Sequence, residues 1–142
     1  MAREEHTIEI AAGPDECYAA LTDYESMKEW QSSVKHVEVL ERDPEGRGSV
    51  VAWELDAKVK TISYTLAYEY EEPRRIAVAF VEGDVKDLEG TYCFEGPARG
   101  PTQVTFELEI DPGMWVPGPV KKMLSKEVMA RSLKDLKKRV EG

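Results

Sequence analysis

The sequence predicts an α+β fold in which one curved antiparallel sheet of seven strands wraps round a long C-terminal helix, with two short helices between strands 1 and 2. Three observations carry this expectation. Apolar and polar residues alternate with a period of two through most of residues 34–110, as half-buried strands require. Turn-forming clusters separate these runs at short intervals, which favours hairpins. After Pro119 no proline or glycine interrupts the chain until Gly142, which leaves room for a long helix.

Taken in order, residues 7–10 form a short strand with Ile8 and Ile10 on one face. Gly13-Pro-Asp-Glu16 then opens a helix that runs to about Leu21. Pro14 suits a first helical turn, and the acids that follow it complement the helix's positive end. Ser26-Met-Lys-Glu29 has the spacing of a capping box and is expected to start a second short helix ending near Trp30.

From Val34 onward the strands follow one another. Val37 and Val39 alternate with His36 and Glu38, and Val51, Trp53 and Leu55 with Ala52, Glu54 and Asp56. Ile62, Tyr64, Leu66, Tyr68 and Tyr70 share a face opposite Thr61, Ser63, Thr65, Ala67 and Glu69. Ile76, Val78 and Phe80 make one face of the next strand; Leu88, Gly90, Tyr92 and Phe94 follow, then Val104, Phe106, Leu108 and Ile110. The result is a sheet with one apolar face and one wet, acidic face.

Residues 117–140 are expected to form the helix, about 30 Å long at roughly 1.5 Å per residue. Met129, Leu133, Leu136 and Val140 make one apolar stripe. Val120, Met123, Leu124 and Val128 make a second, about half a turn away. One straight helix cannot bury both on a flat partner. Either it bends near Ser125, or its first half meets something other than the sheet: a loop, a ligand, another chain or a membrane.

Coverage leads from fold to function. Seven strands about 4.8 Å apart make a sheet over 30 Å wide, whereas one helix covers only about 10–12 Å. The sheet must curl, and a hollow between sheet and helix is the natural outcome. Small-molecule sites are apolar hollows with a few polar groups. Trp53, Tyr64, Tyr68, Tyr70 and Tyr92 on the apolar face suit one, since a dry core is more easily built from Phe and Leu. The alternative is that their polar tips reach water at the sheet ends. Gly90 either eases the bend of the sheet or leaves room for a ligand.

Composition narrows the function classes. The chain has 142 residues, 42% hydrophobic and 33% charged, with a formal net charge of −9. No linker or internal repeat divides it, so residues 1–142 are expected to form a single domain. No apolar run reaches bilayer length, the charged start does not suit a signal peptide, and Cys17 and Cys93 show no metal or redox spacing. A cytoplasmic setting is expected. Residues 119–142 hold eight of the 19 Lys and Arg but only three of the 28 Asp and Glu. The acidic remainder repels phosphates, which argues against DNA; the basic helix is either solvated or touches an RNA or an acidic lipid surface.

No catalytic constellation emerges. Of two histidines, His6 lies near the terminus and His36 alternates to the wet face. No metal spacing occurs, and no metal or cofactor is expected. If a reaction occurs, Tyr64, Tyr68, Tyr92, Glu127 and Arg131 are the available acid and base groups. Met114, Trp115 and Val116 are too apolar for an ordinary connector. With Val120, Met123 and Leu124 they suit a pocket lid or entrance, a dimer contact or a dip into a membrane surface, unless Trp115 simply tucks against the helix start.

The order of elements resembles the START-like, or SRPBCC, superfamily with its helix-grip fold. Ala12-Gly-Pro-Asp-Glu-Cys-Tyr18, Leu21-Thr-Asp-Tyr24, Trp30 with Val34-Lys-His-Val-Glu-Val39, Glu89-Gly-Thr-Tyr-Cys-Phe94 and Leu136-Lys-Lys-Arg-Val-Glu141 are similar to its polyketide cyclase/dehydrase and coenzyme Q-binding branch. The resemblance covers essentially the whole chain, as one START-like ligand-binding domain, though its motifs are mostly structural. It implies a pocket for a lipid, quinone or polyketide-like molecule. Inward residues of the sheet and the long helix would line it: Trp53, Leu55, Tyr64, Leu66, Tyr68, Val78, Phe80, Tyr92, Phe106, Leu108 and Met129. A carrier without catalysis is the favoured expectation, with a polyketide cyclase or dehydratase, or a ribosome- or protein-docking module, as alternatives.

Overall fold

The computed structural model of the chain describes residues 2–56, 61–111, 113 and 126–142. It opens with β1 (Ala2–Ile10), α1 (Pro14–Thr22), a 3-10 turn (Tyr24–Ser26) and α2 (Met27–Trp30). Six strands follow: β2 (Val34–Arg42), β3 (Gly48–Asp56), β4 (Thr61–Glu71), β5 (Arg75–Gly83), β6 (Asp87–Glu95) and β7 (Thr102–Asp111). A helix, α3 (Val128–Glu141), ends the chain. All seven strands join one antiparallel sheet in the order β1-β7-β6-β5-β4-β3-β2. The expected α+β architecture with seven antiparallel strands is the one observed; β2 to β7 form a meander, and β1 lies beside β7 at the far edge.

β1 is longer than residues 7–10. It begins at Ala2 and pairs with β7 along its whole length, from Ala2 opposite Ile110 to Ile10 opposite Thr102. Glu4, Glu5 and His6 hide this extension in the sequence, because they carry no apolar alternation to mark a strand. Outward-facing Arg3 reaches Glu107 at 3.0 Å and Glu109 at 3.6 Å. Inward-facing His6 is half-buried, and its Nε2 is buried without a hydrogen-bond partner.

The first helices fall where expected, with one correction. Pro14 starts α1, and Asp15 and Glu16 occupy its first turn. The capping box at Ser26 does not form. Ser26 Oγ instead donates to the Asp23 carbonyl at 3.0 Å and accepts from Trp30 Nε1 at 3.3 Å. A 3-10 turn precedes α2, so the Ser26 backbone is already helical and cannot serve as a cap, which requires an extended residue there.

Hairpin chemistry is local and specific. Asp43 accepts from the backbone nitrogens of Glu45 and Arg47 and from Arg47 Nε at 2.8 Å, which closes the β2–β3 turn around Gly46 at φ 85°. Gly90 is not among the described residues that line the interior cavity, so it does not make room for a ligand there. A Cβ there would stand 2.6 Å from the Glu107 carbonyl oxygen, so the glycine permits close approach of β7.

α3 presents Met129, Leu133 and Leu136 to the interior, all at most 2% exposed, with Val140 half-buried behind them. It is entered through a π turn at 126–127. The start expected at Pro117, the proposed bend at Ser125 and the stripe of Val120, Met123 and Leu124 lie outside the described residues. Polar bonds tie α3 down. Glu141 accepts from the Ala11 backbone nitrogen at 2.8 Å and from Lys137, which also donates to the Glu9 carbonyl at 2.8 Å. Asp135 accepts from both the backbone nitrogen and the hydroxyl of Ser32 at 2.9 Å.

Two tests follow from these contacts. Gly90→Ala should cost about 1–3 kcal/mol in chemical denaturation, as overpacking against backbone does. The Ala11 amide, then Lys137, hold the Glu141 carboxyl below its ordinary 4.5. A depressed folded pKa contributes stability above the unfolded value that is lost as pH falls through the folded one. Glu141→Gln should therefore flatten the acid limb of a stability–pH curve below about 4.5, with the difference vanishing at lower pH.

Candidate functional site

The interior between sheet and α3 contains a partly enclosed cavity of about 100 Å³. Val34 of β2 and Phe106 of β7 both line it. Those strands lie five steps apart in the sheet, about 24 Å if it were flat. The sheet is therefore strongly curled. The volume is smaller than that of a fully formed drug-sized pocket, about 300–1,000 Å³, and corresponds to about three waters at roughly 30 Å³ each.

Ten of the eleven residues expected inside line this cavity: Trp53, Leu55, Tyr64, Leu66, Tyr68, Val78, Tyr92, Phe106, Leu108 and Met129. Phe80 does not. It is half-buried and packs against the core opposite Leu66, just before β5 bulges and Val81 has no partner across the β4–β5 ladder. The helical segment adds Leu21, Tyr24 and Met27. Gln31, Ser33 and Ser132 also line the wall, and Gln31 and Ser33 are only 5% exposed. Gln31-Ser-Ser33 reads as a polar connector, and nothing in its composition signals burial. Met114, Trp115, Val120, Met123 and Leu124, expected as a lid, lie outside the described residues.

The tyrosines divide into two sets. In the first, Tyr70 donates to the Gly48 carbonyl, so the 2.7 Å bond between Tyr24 and Tyr70 must carry the Tyr24 proton. Arg47, held by Asp43, stacks 4.9 Å from the Tyr70 ring centre. Tyr18 packs edge-on to Phe94 and Tyr70 at 5.8 and 6.3 Å, with its hydroxyl buried and unpartnered. This set fastens α1 and the 3-10 turn to the β2–β3 end of the sheet.

The second set faces the cavity. Tyr68 accepts from Trp53 Nε1 at 3.0 Å and donates to nothing among the described residues. Tyr64 has no hydrogen bond among the described residues. Tyr92 stacks on Phe106 at 4.1 Å, with its hydroxyl beside Ser132. Burial pushes Tyr64, Tyr68 and Tyr92 well above the ordinary value of 10, with Tyr64 and Tyr68 also feeling the charge of Tyr92. Burial likewise lifts Tyr24, and Tyr70 to about 12.

The comparisons with known proteins fit this geometry. The sequence matches the family described as polyketide cyclase/dehydrase and lipid transport over residues 1–141. The chain belongs to that family, within the START-like (SRPBCC) superfamily. No curated protein matches it in sequence. Among solved structures it is similar to a START superfamily protein from Mycobacterium smegmatis, at 25% identity and a TM-score of 0.85, covering 98% of this chain and 97% of that one. It is also similar to a protein from Thermus thermophilus at 24% identity and TM-score 0.81, covering 98% and 97%. The Zhui aromatase/cyclase from Streptomyces sp. R1128 gives 20% identity and TM-score 0.84, covering 99% and 93%. The last two likenesses speak for the fold alone.

This START-like domain presents hydroxyl donors to its cavity and no charged lining among the described residues. Glu127 is exposed, Arg131 is half-buried away from the cavity, and His36 is exposed, so none of the three stands as an acid or base at this site. No helix among the described residues is long and apolar enough to cross a membrane. On the basic face, Lys134 and Lys138 are exposed, whereas Lys137 is engaged with Glu9 and Glu141.

The raised tyrosines set an alkaline limit. A folded pKa above the unfolded one gives stability that is complete below the unfolded value and is lost as pH rises through the folded one. The unfolded value here is 10. Tyrosinate absorbance from Tyr64, Tyr68 and Tyr92 should therefore appear above pH 10 together with loss of near-UV circular dichroism, and not as an independent titration of the native state.

Proposed function

We propose that this START-like domain binds or carries a hydrophobic small molecule, such as a lipid, quinone or polyketide-like compound, in the cavity between its sheet and α3. One observation carries the reading. Side chains from every strand but β1 meet at one interior space that is apolar over most of its wall yet retains hydroxyl donors with bonds still to make. That combination is the one small-molecule sites use, apolar area for affinity and a few polar groups for orientation. The family's description as lipid transport agrees with it.

A cyclase or dehydratase reading has one observation in its favour, the gathering of Tyr64, Tyr68 and Tyr92 around a single interior space. Tyrosines lifted this far are poor acids and are not bases at neutral pH, and proton transfer works best with a group titrating near the operating pH. The binding reading requires only what those hydroxyls do well, which is donate.

Mass spectrometry of the natively purified protein should find an apolar molecule bound. Tyr64→Trp, which adds bulk at the cavity wall, should abolish its retention while the variant still melts cooperatively, at a cost of about 1–3 kcal/mol. A wild-type protein that emerges empty and also takes up no fluorescent apolar probe would overturn the reading. Turnover of a polyketide-like substrate would favour the cyclase reading instead.

A further inference from the structure

The cavity wall is uneven in polarity, and its polar part has a definite place. Leu55, Leu66, Val78, Leu108 and Met129 supply hydrocarbon. Polar side chains gather where the segment 31–33 meets α3. Gln31 Nε2 donates to the Ser132 carbonyl at 3.2 Å, and Asp135 grips Ser32 through its backbone nitrogen and hydroxyl. Next to these anchors Ser33 is only 5% exposed, and its Oγ has no hydrogen-bond partner. Tyr92 stands beside Ser132, and the hydroxyls of Tyr64 and Tyr68 are within electrostatic reach of Tyr92.

Such an arrangement discriminates among ligands by charge. A buried hydroxyl with no partner is unfavourable unless something in the cavity meets it. The hydroxyl donors on its wall include Ser33, Tyr64, Tyr68 and Tyr92, and no Lys, Arg or His is among the described lining residues. A carboxylate brought here loses its hydration and gains no counter-charge. A neutral acceptor oxygen loses little and receives a hydrogen bond. Volume sets a second limit: about 100 Å³, below the roughly 150 Å³ of an apolar cavity known to take benzene, admits one small ring only where the open side of the cavity takes part of it, and nothing bulkier.

We propose, building on the ligand-binding reading above, that Ser33, Tyr92 and their neighbours form a polar end that receives a neutral, hydrogen-bond-accepting oxygen carried on a single small ring. The ligand class is then an uncharged oxygen-bearing ring, or the ring end of a longer neutral molecule, and not a fatty-acid anion. Ser33 is a specificity-determining residue in this assignment, since its hydroxyl bonds nothing among the described residues.

The test compares three probes of one ring size, cyclohexanone, methylcyclohexane and cyclohexanecarboxylate, titrated into the full chain and read on the Met129 methyl and Trp53 indole NMR signals. Cyclohexanone should bind and cyclohexanecarboxylate should not. Ser33→Ala and Tyr92→Phe should each weaken cyclohexanone by roughly 2–10-fold, the worth of one net hydrogen bond, and leave methylcyclohexane unchanged or tighter. Ser33→Ala should melt no lower than wild type, because it removes an unpartnered group.

Equal affinity of the variants for cyclohexanone, or binding of the carboxylate as tight as that of the ketone, overturns the polar-end assignment. If methylcyclohexane binds and cyclohexanone does not, the assignment fails while the carrier reading stands. If no probe binds the wild type, the polar-end assignment falls, and the carrier reading stands or falls by the mass spectrometry and fluorescent-probe uptake described above.

Discussion

The structure depends on covering the apolar face of a sheet that is too wide for the helix laid across it. As described, α3 has 14 residues, about 21 Å of helix at roughly 1.5 Å per residue. It packs against β1, β7, α1 and α2, which places it toward one edge of the sheet. The opposite edge is met by the 3-10 turn and α2, both of which contact β2. Curling brings the two covers toward each other, and the central strands face the space that remains. The cavity is a consequence of this geometry and needs no residue dedicated to making it.

Tyrosine is the residue that makes such a partial cover workable. Its ring fills volume as phenylalanine does, but its hydroxyl has to be satisfied when buried. At the β2–β3 end, Tyr24 and Tyr70 satisfy theirs in a chain that terminates on the Gly48 carbonyl, and this chain anchors the helical segment. Toward the cavity, Tyr68 is satisfied only as an acceptor and Tyr64 not at all among the described residues. The same residue type therefore has opposite consequences at two places: a closed network gives rigidity, and an open one leaves bonding capacity for something else.

Much of this was legible in the sequence. Alternation put nine of the ten named sheet residues, and the helical stripe put Met129, on the wall of the cavity, because one face of each strand is buried and a slip of one residue would invert every side chain. Phe80 keeps the alternation opposite Leu66 and packs against the core, but it is the last residue of β5 before a bulge and stands beyond the cavity wall. The length of β1 was hidden by Glu4, Glu5 and His6, which pair with β7 but carry no apolar alternation. The Ser26 capping spacing misled because the preceding turn was already helical. Gln31 and Ser33 were invisible as cavity residues, since their segment is docked by bonds from Gln31 to Ser132 and from Ser32 to Asp135, about a hundred residues later in the chain.

Those distant bonds explain why polar residues occupy an apolar interior. Segment 31–33 docks α3 through Gln31 and Ser32, and the Ser33 carbonyl accepts from the Asp56 backbone nitrogen at 2.9 Å. With both flanks fixed by helix and sheet, the Ser33 side chain has nowhere to point but inward. An alanine would satisfy every one of these structural demands, because they fall on the backbone of Ser33 and on its neighbours. The hydroxyl is the part of the segment that docking leaves unexplained, and a bond to an occupant of the cavity is the use the geometry offers it.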